Sequence, residues 1–322
     1  PEGVKGKGNN FLNLFEYLNG FKPKAVAVVD ADLISIGPEW VEALVKPVFE
    51  GYEFVSPYYA RNEYDGTITN HLCYPLLYGL LGKNIRQPIG GDFAFSGKLI
   101  DHWLATDWTE SIRQYGVDIF MTLGAVLAGY STAQTSLGAK IHKPSAPKLG
   151  KMFTQVVDTL FRELLGSKEQ WCLNGSRPLT PPEFDNNGYG LCEPQDLEID
   201  YKVLKRQALT AYEETNGNAH SVLPEELAAE IHRMFEKGRL RIGAPTWAEI
   251  VFSHMDAYEN LSSQKERLRV VEGLKPFYFG RVVSFIRETL ELDHSQSEQK
   301  IVRQARVFWK NRGRLTATAC PD

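Results

Sequence analysis

Asp30-Ala31-Asp32 closes the apolar run Ala25-Val26-Ala27-Val28-Val29. Two carboxylates one residue apart project to the same side of an extended backbone. There they can share one hard divalent cation. The run has the composition of a buried, parallel strand, and open α/β sheets bind ligands beyond the C-terminal ends of their strands. A cation at that position suits a diphosphate. Because Asp-x-Asp also caps helices and shapes turns, its weight comes from the motifs around it. Gly6-Lys7-Gly8 precedes it; Gly90-Gly91-Asp92, Gly116-Val117-Asp118 and Lys140-x-His142 follow.

The elements that must position these groups follow from apolar periodicity. Lys5-Gly6-Lys7-Gly8 reads as a mobile basic segment. Phe11, Leu12, Leu14, Phe15 and Leu18 then recur at helical spacing, with Asn9 or Asn10 as N-cap and Gly20 as stop. Gly37-Pro38 opens a second helix that Pro47 ends or kinks. Phe54 to Tyr59 and Ser131 to Ile141 read as strands, and a Gly-Gly turn leads into a short strand at Phe93-Ala94-Phe95. Arg61 to Thr69 is a polar loop with an Asp65-Gly66 turn. Asn70 to Leu81 is helical with a kink at Pro75. Val117 to Leu127 and Leu149 to Leu165 are helices, and beyond about Tyr201 the pattern is almost wholly helical.

With 322 residues the chain predicts about two domains. The expected division is an α/β catalytic domain over 1–166, a Gly/Pro/Asn-rich linker over 167–200, and an all-α region over 201–322. An α/β nucleotide-binding sheet normally has strands before the first one seen here, so the sequence reads as beginning mid-domain. A hydrophobic share of 43% and a charged share of 24% are those of a soluble globular protein. A net charge of −4 argues against a nucleic-acid-binding surface. No apolar stretch is long enough to span a membrane, and no signal peptide opens the chain. Cys73, Cys172, Cys192 and Cys320 lack metal-type spacing, which predicts a reduced, cytoplasmic setting with no structural disulfide.

Taken in order, these motifs resemble the GT-A-fold retaining glycosyltransferases related to mannosylglycerate synthase, glucosylglycerate synthase and glucosyl-3-phosphoglycerate synthase. The resemblance covers roughly residues 4 to 165. It implies a Rossmann-like, mostly parallel catalytic sheet. It makes Asp30, Asp32 and His142 ligands of Mn²⁺ or Mg²⁺, a donor set that suits either ion. On the donor side it implies Lys7, Asp30, Ala31, Gly90, Gly91, Asp92, Asp118 and Lys140, with Asp118 as the catalytic acidic group. Gly90 and Gly91 let backbone approach a sugar closely. For the acceptor it implies Arg61, Gly66, Thr67 and Thr69, with Arg61 offering a bidentate fork to a carboxylate. The phosphoglycerate-specific relatives carry an arginine where this chain has Thr67, which favours free glycerate over 3-phosphoglycerate.

The implied activity is transfer of glucose or mannose from a UDP- or GDP-hexose to D-glycerate with retention, as in compatible-solute synthesis. The cation offsets charge on the departing diphosphate, and Asp118 orients donor and acceptor. Two other classes are open: a sugar nucleotidyltransferase, and a non-catalytic module of the same fold. Phe277, Tyr278, Phe279 and Phe285 are read as core, with a homo-oligomeric contact surface as the alternative.

Overall fold

The computed structural model describes residues 5–141, 149–172, 178–184, 192–197, 199–215 and 221–315. In chain order the elements are α1 (Lys7–Asn19), β1 (Val26–Val28), α2 (Pro38–Phe49), β2 (Phe54–Ala60), α3 (Tyr74–Leu81), β3 (Phe93–Phe95), α4 (Gly97–Leu104), α5 (Val117–Leu127), β4 (Thr132–Ala139), α6 (Leu149–Gly166), α7 (Lys168–Cys172), β5 (Glu183–Phe184), α8 (Tyr201–Glu213), α9 (Glu225–Glu236), α10 (Ala244–Glu259), α11 (Gln264–Thr289) and α12 (His294–Asn311). Two stretches, Thr69–Cys73 and Ile112–Gly116, are wound as wider π-turns.

These elements form two compact units that interleave along the chain. The first comprises 1–62, 83–167 and 178–196; the second comprises 63–82, 168–177 and 197–322. The first unit holds a five-stranded sheet in the order β1-β3-β2-β4-β5. β3 runs antiparallel to β1 and β2, while β2–β4 and β4–β5 are parallel, so all strands but β3 point the same way. The two-residue alternation of strands divides the core between two faces. Phe54, Phe93 and Phe95 face Phe15 of α1, Trp103 of α4 and Phe120 of α5. Val55, Ala94 and Leu137 face Trp40, Leu44 and Val48 of α2. Among its described residues the second unit is helical apart from turns and loops, and no strand is found among the described residues after 197.

Several expectations change here. The strand expected over Ala25 to Asp32 spans only Val26–Val28, lies at the sheet edge and pairs antiparallel with β3. An apolar run alone does not distinguish a central parallel strand from an edge strand followed by exposed loop, and Val29 is indeed exposed. Ala31 and Asp32 sit in an exposed turn, so strand alternation does not relate Asp32 to Asp30. Lys7 and Gly8 belong to α1 instead of a mobile segment. A Cβ on Gly8 would lie 1.9 Å from the Ile112 carbonyl oxygen, so glycine is required for α1 to approach that backbone. Pro47 lies within α2 and does not end it. Cys172 is disulfide-bonded, which corrects the expected absence of a disulfide, because sequence spacing does not report which thiols a fold brings together. Among the described residues no helix is long and apolar enough to cross a membrane.

Candidate functional site

Sheet direction gathers the polar groups of the first unit. Val28 is opposite Phe93, so Asp30, just past β1, and Asp92, just before β3, emerge at the same end. β2 and β4 also point their C-terminal ends there, bringing Tyr59 and Lys140 to the same place. Two helix N-termini complete the group: Lys7 is the first residue of α1, and Asp118 stands in the first turn of α5.

The charged atoms form a continuous chain. Lys7 Nζ lies 2.8 Å from Asp30 Oδ1 and 2.9 Å from Asp118 Oδ2. Lys140 Nζ lies 3.3 Å from Asp30 Oδ2 and 2.8 Å from Asp92 Oδ2, and donates to the Gly90 carbonyl at 2.6 Å. The Asp30 amide donates to Asp92 Oδ1 at 2.7 Å, and the Tyr59 hydroxyl donates to Asp92 Oδ2. The Lys140 ammonium also stands 5.0 Å from the Tyr59 ring centroid, a cation–π distance. Asp92 is fully buried and the Lys140 side chain is 4% exposed, so neither charge could stay inside without the other.

Asp30 therefore bridges both ammonium groups. Burial alone would push its carboxyl up, but Lys7 and Lys140 outweigh burial and hold it below the ordinary carboxylate range. Burial would likewise depress Lys7, yet Asp118 and Asp30 hold its ammonium above the usual lysine value. For Asp118, burial wins over Lys7 and the carboxyl is pushed up. Asp118 Oδ1 is buried with no hydrogen-bond partner among the described residues. Counted as ionised, the cluster holds three carboxylates against two ammoniums, leaving an excess negative charge.

The glycine turn is shaped around Asp30. Gly91 adopts φ +87°, and a Cβ there would sit 2.0 Å from Asp30 Oδ2. A Cβ on Gly90 would meet Pro57 Cγ at 2.2 Å. Gln87 ties this turn to β2: its amide nitrogen donates to the Tyr59 carbonyl at 2.9 Å, and its own carbonyl accepts from Gly90 N at 3.2 Å.

Of the residues expected on the donor side, Lys7, Asp30, Gly90, Gly91, Asp92, Asp118 and Lys140 thus come together. Ala31 and Asp32 are exposed in the turn beside them. His142 lies outside the described residues. Among the described residues, no group of three or more His, Cys, Asp or Glu side chains is placed to hold a metal ion. Arg61 belongs to the first unit, half-buried beyond β2; Gly66, Thr67 and Thr69 belong to the second. Tyr59 and Gln87 were not singled out from sequence. The signal available for Tyr59 was its place at the end of β2, beside the expected loop.

In the second unit, residues 63–73 are stitched to the C-terminal helices. Thr67 Oγ1 meets the buried Tyr278 hydroxyl at 2.5 Å, Tyr64 meets Thr289 at 3.1 Å, and His294 Nδ1 meets Glu63 at 2.6 Å. Gly66 has φ +67°, the left-handed turn expected of Asp65-Gly66.

Residues 2–157 match the family model described as mannosylglycerate synthase, GT domain. Among solved structures, similarity is found to glucosyl-3-phosphoglycerate synthase from Mycobacterium tuberculosis in complex with Mn²⁺, UDP-glucose and phosphoglyceric acid. That match has 29% identity, covers 51% of this chain and 56% of that chain, and has a TM-score of 0.41. The same enzyme with Mg²⁺ and UDP matches at 29% identity over the same shares, with a TM-score of 0.42. A mycobacterial protein matches at 31% identity over 51% of this chain and 53% of that chain, with a TM-score of 0.40. The chain spans about half the length of these structures. None of the curated proteins matches it. The N-terminal half of the chain thus resembles the glycosyltransferase domain of mannosylglycerate synthase.

Proposed function

We propose that the cluster around Asp30 is the donor site of a metal-dependent glycosyltransferase that moves a hexose from a nucleoside-diphosphate sugar to glycerate. The observation that carries this reading is the convergence of Lys7, Asp30, Asp92, Asp118 and Lys140 at one end of the sheet. The family match over 2–157 supports it, because that span includes every one of them.

The donor set suits a hard divalent ion. Asp30 is a partly exposed carboxylate, Asp32 an exposed one, and the cluster carries surplus negative charge. Asp30, Asp32 and His142 would hold Mn²⁺ or Mg²⁺, which supplies Lewis-acid stabilisation of the departing diphosphate. Lys7 places a second positive charge between Asp30 and Asp118, where it can stabilise phosphate oxygen as the sugar leaves. Lys140 neutralises buried Asp92 and pins the Gly90 carbonyl, fixing the backbone against which the sugar packs. Asp92 is already occupied by Lys140, Tyr59 and the Asp30 amide, so its part in sugar binding is to order this frame.

Asp118 has the remaining acceptor capacity. Its Oδ1 can take a hydrogen bond from a sugar or acceptor hydroxyl, which would orient the reactants on one face of the anomeric centre. Transfer with retention then runs as a front-face exchange, in which the leaving phosphate takes the acceptor proton. Arg61 is the proposed carboxylate contact, and Gly66, Thr67 and Thr69 are the proposed hydroxyl-side contacts. Thr67 in place of arginine favours free glycerate.

The test is incubation of the protein with UDP-glucose, GDP-glucose or GDP-mannose and either glycerate or 3-phosphoglycerate, with Mn²⁺ or with a chelator. The reading expects a metal-dependent α-hexosylglycerate. Formation of a sugar nucleotide from nucleoside triphosphate and sugar phosphate would replace it with the nucleotidyltransferase reading.

A further inference from the structure

Proline at position 75 has no N–H, so the His71 carbonyl, four residues earlier, loses its α-helical donor. The backbone here goes further. Tyr74 N donates to the Thr69 carbonyl, five residues back, so the Asn70 carbonyl loses its α-helical donor as well. Both α-helical donors are absent in a buried segment, where an unsatisfied carbonyl is costly. Two side chains from the C-terminal helices take their place. Trp247 Nε1 of α10 donates to His71 O at 2.6 Å, and Gln304 Nε2 of α12 donates to Asn70 O at 2.9 Å.

The Gln304 amide is not free to choose its orientation. Arg281 Nε donates to Gln304 Oε1 at 2.8 Å, so the NH₂ end must face Asn70. Arg281 is itself buried and anchored on the Ile242 carbonyl at 2.8 Å and on Glu288 at 2.6 Å. These bonds lie within the second unit.

A π-turn inserts one residue into the helix. Relative to α3, Thr69 and the turn before it are therefore rotated by about 100° from where an unbroken α-helix would place them. π-Turns of this kind are frequent where a side chain must be presented for function. We infer that Trp247 and Gln304 are positioning residues: they hold the Thr69–Cys73 π-turn open and so set the direction of Thr69 toward a small hydroxy-carboxylate acceptor. This inference rests on the proposed acceptor role of Thr69. It gives the helical C-terminal region a part in acceptor selection.

Trp247→Phe and Gln304→Glu each remove one donor to the turn; Trp247→Phe also leaves a small cavity at a fully buried position, whereas Gln304→Glu keeps the volume and the Arg281 partner. The expected result for both is an acceptor KM raised fivefold or more, with donor KM and acceptor-free donor hydrolysis within twofold of wild type. An unchanged acceptor KM in both overturns the inference. If Trp247→Phe does not fold, Gln304→Glu carries the test. Trp247→Phe/Pro75→Ala separates stability from positioning, because it returns a backbone donor to His71 O in an α-turn. Thermal stability is then expected to recover while acceptor KM stays raised; recovery of both overturns the inference.

Deuterium uptake in peptides covering residues 69–75 reports the turn without any activity. Faster uptake in either single variant supports the holding role, and uptake equal to wild type in both overturns it. If wild-type protein transfers sugar to neither glycerate nor 3-phosphoglycerate, the functional reading fails, and the uptake measurement still decides whether Trp247 and Gln304 control the turn.

Discussion

Replacing Lys140 with methionine removes a charge while nearly keeping its volume. The Asp92 carboxylate is fully buried and loses its only ion-pair partner among the described residues, keeping hydrogen bonds from Tyr59 and the Asp30 amide. Breaking a buried ion pair from one side typically costs about 3–5 kcal/mol. The two surviving hydrogen bonds offset part of the desolvation, so the lower end, about 3 kcal/mol, is expected. The Gly90 carbonyl also loses its donor, which adds roughly 1 kcal/mol. Urea denaturation of wild type, Lys140→Met, Asp92→Asn and the double variant forms a cycle that isolates the pair. In the double variant the side-chain amide oxygen introduced at position 92 can still accept from the Asp30 amide, so it is expected to recover about 2 kcal/mol relative to Lys140→Met. A Lys140→Met cost below about 1 kcal/mol, the range of exposed pairs, would refute the buried-pair reasoning.

Other perturbations reach Gly91, Asp118 and His254. Gly91→Ala places a methyl 2.0 Å from Asp30 Oδ2 on a backbone with φ +87°, so nucleoside-diphosphate affinity measured by calorimetry should fall at least tenfold. Asp118→Asn removes a buried carboxyl that burial already pushes up; transfer rate should drop about 100-fold or more, while the thermal midpoint does not decrease. His254 is fully buried, and burial lowers it to about 4 from 6.5. The unfolded chain therefore binds the proton first as pH falls, and roughly 3 kcal/mol of stability is lost between pH 6.5 and about 4. The dependence of stability on pH across that range should flatten in His254→Phe.

What could be read along the chain was whatever depended on local pattern. Helix α5, helix α6 and strands β2 and β4 fall where apolar periodicity placed them. Gly91, Lys7 and Asp118 were visible as motifs, although Gly8 turned out to be a packing requirement and no mark of mobility. The edge position of β1 was not legible, because Ala25 to Val29 has the same composition as a central strand. Nor was β5, two residues within a Pro-rich stretch that pair with β4. The deepest contacts join distant positions: Lys140 reaches Asp92 across 48 residues, and Gln304 reaches Asn70 across 234. No local pattern encodes such a pairing. Pro75 did announce a helix disturbance, yet its consequence, two carbonyls served by tryptophan and glutamine side chains, needs three-dimensional neighbours to be seen.

Binding of UDP and GDP with and without Mn²⁺, in wild type and in Asp30→Asn, tests the site most directly. Mn²⁺ is expected to tighten binding of one nucleotide at least tenfold in wild type, and Asp30→Asn is expected to abolish this gain. Nucleotide binding that is indifferent to Mn²⁺, or a gain that survives in Asp30→Asn, would contradict a cation and diphosphate site built on Asp30.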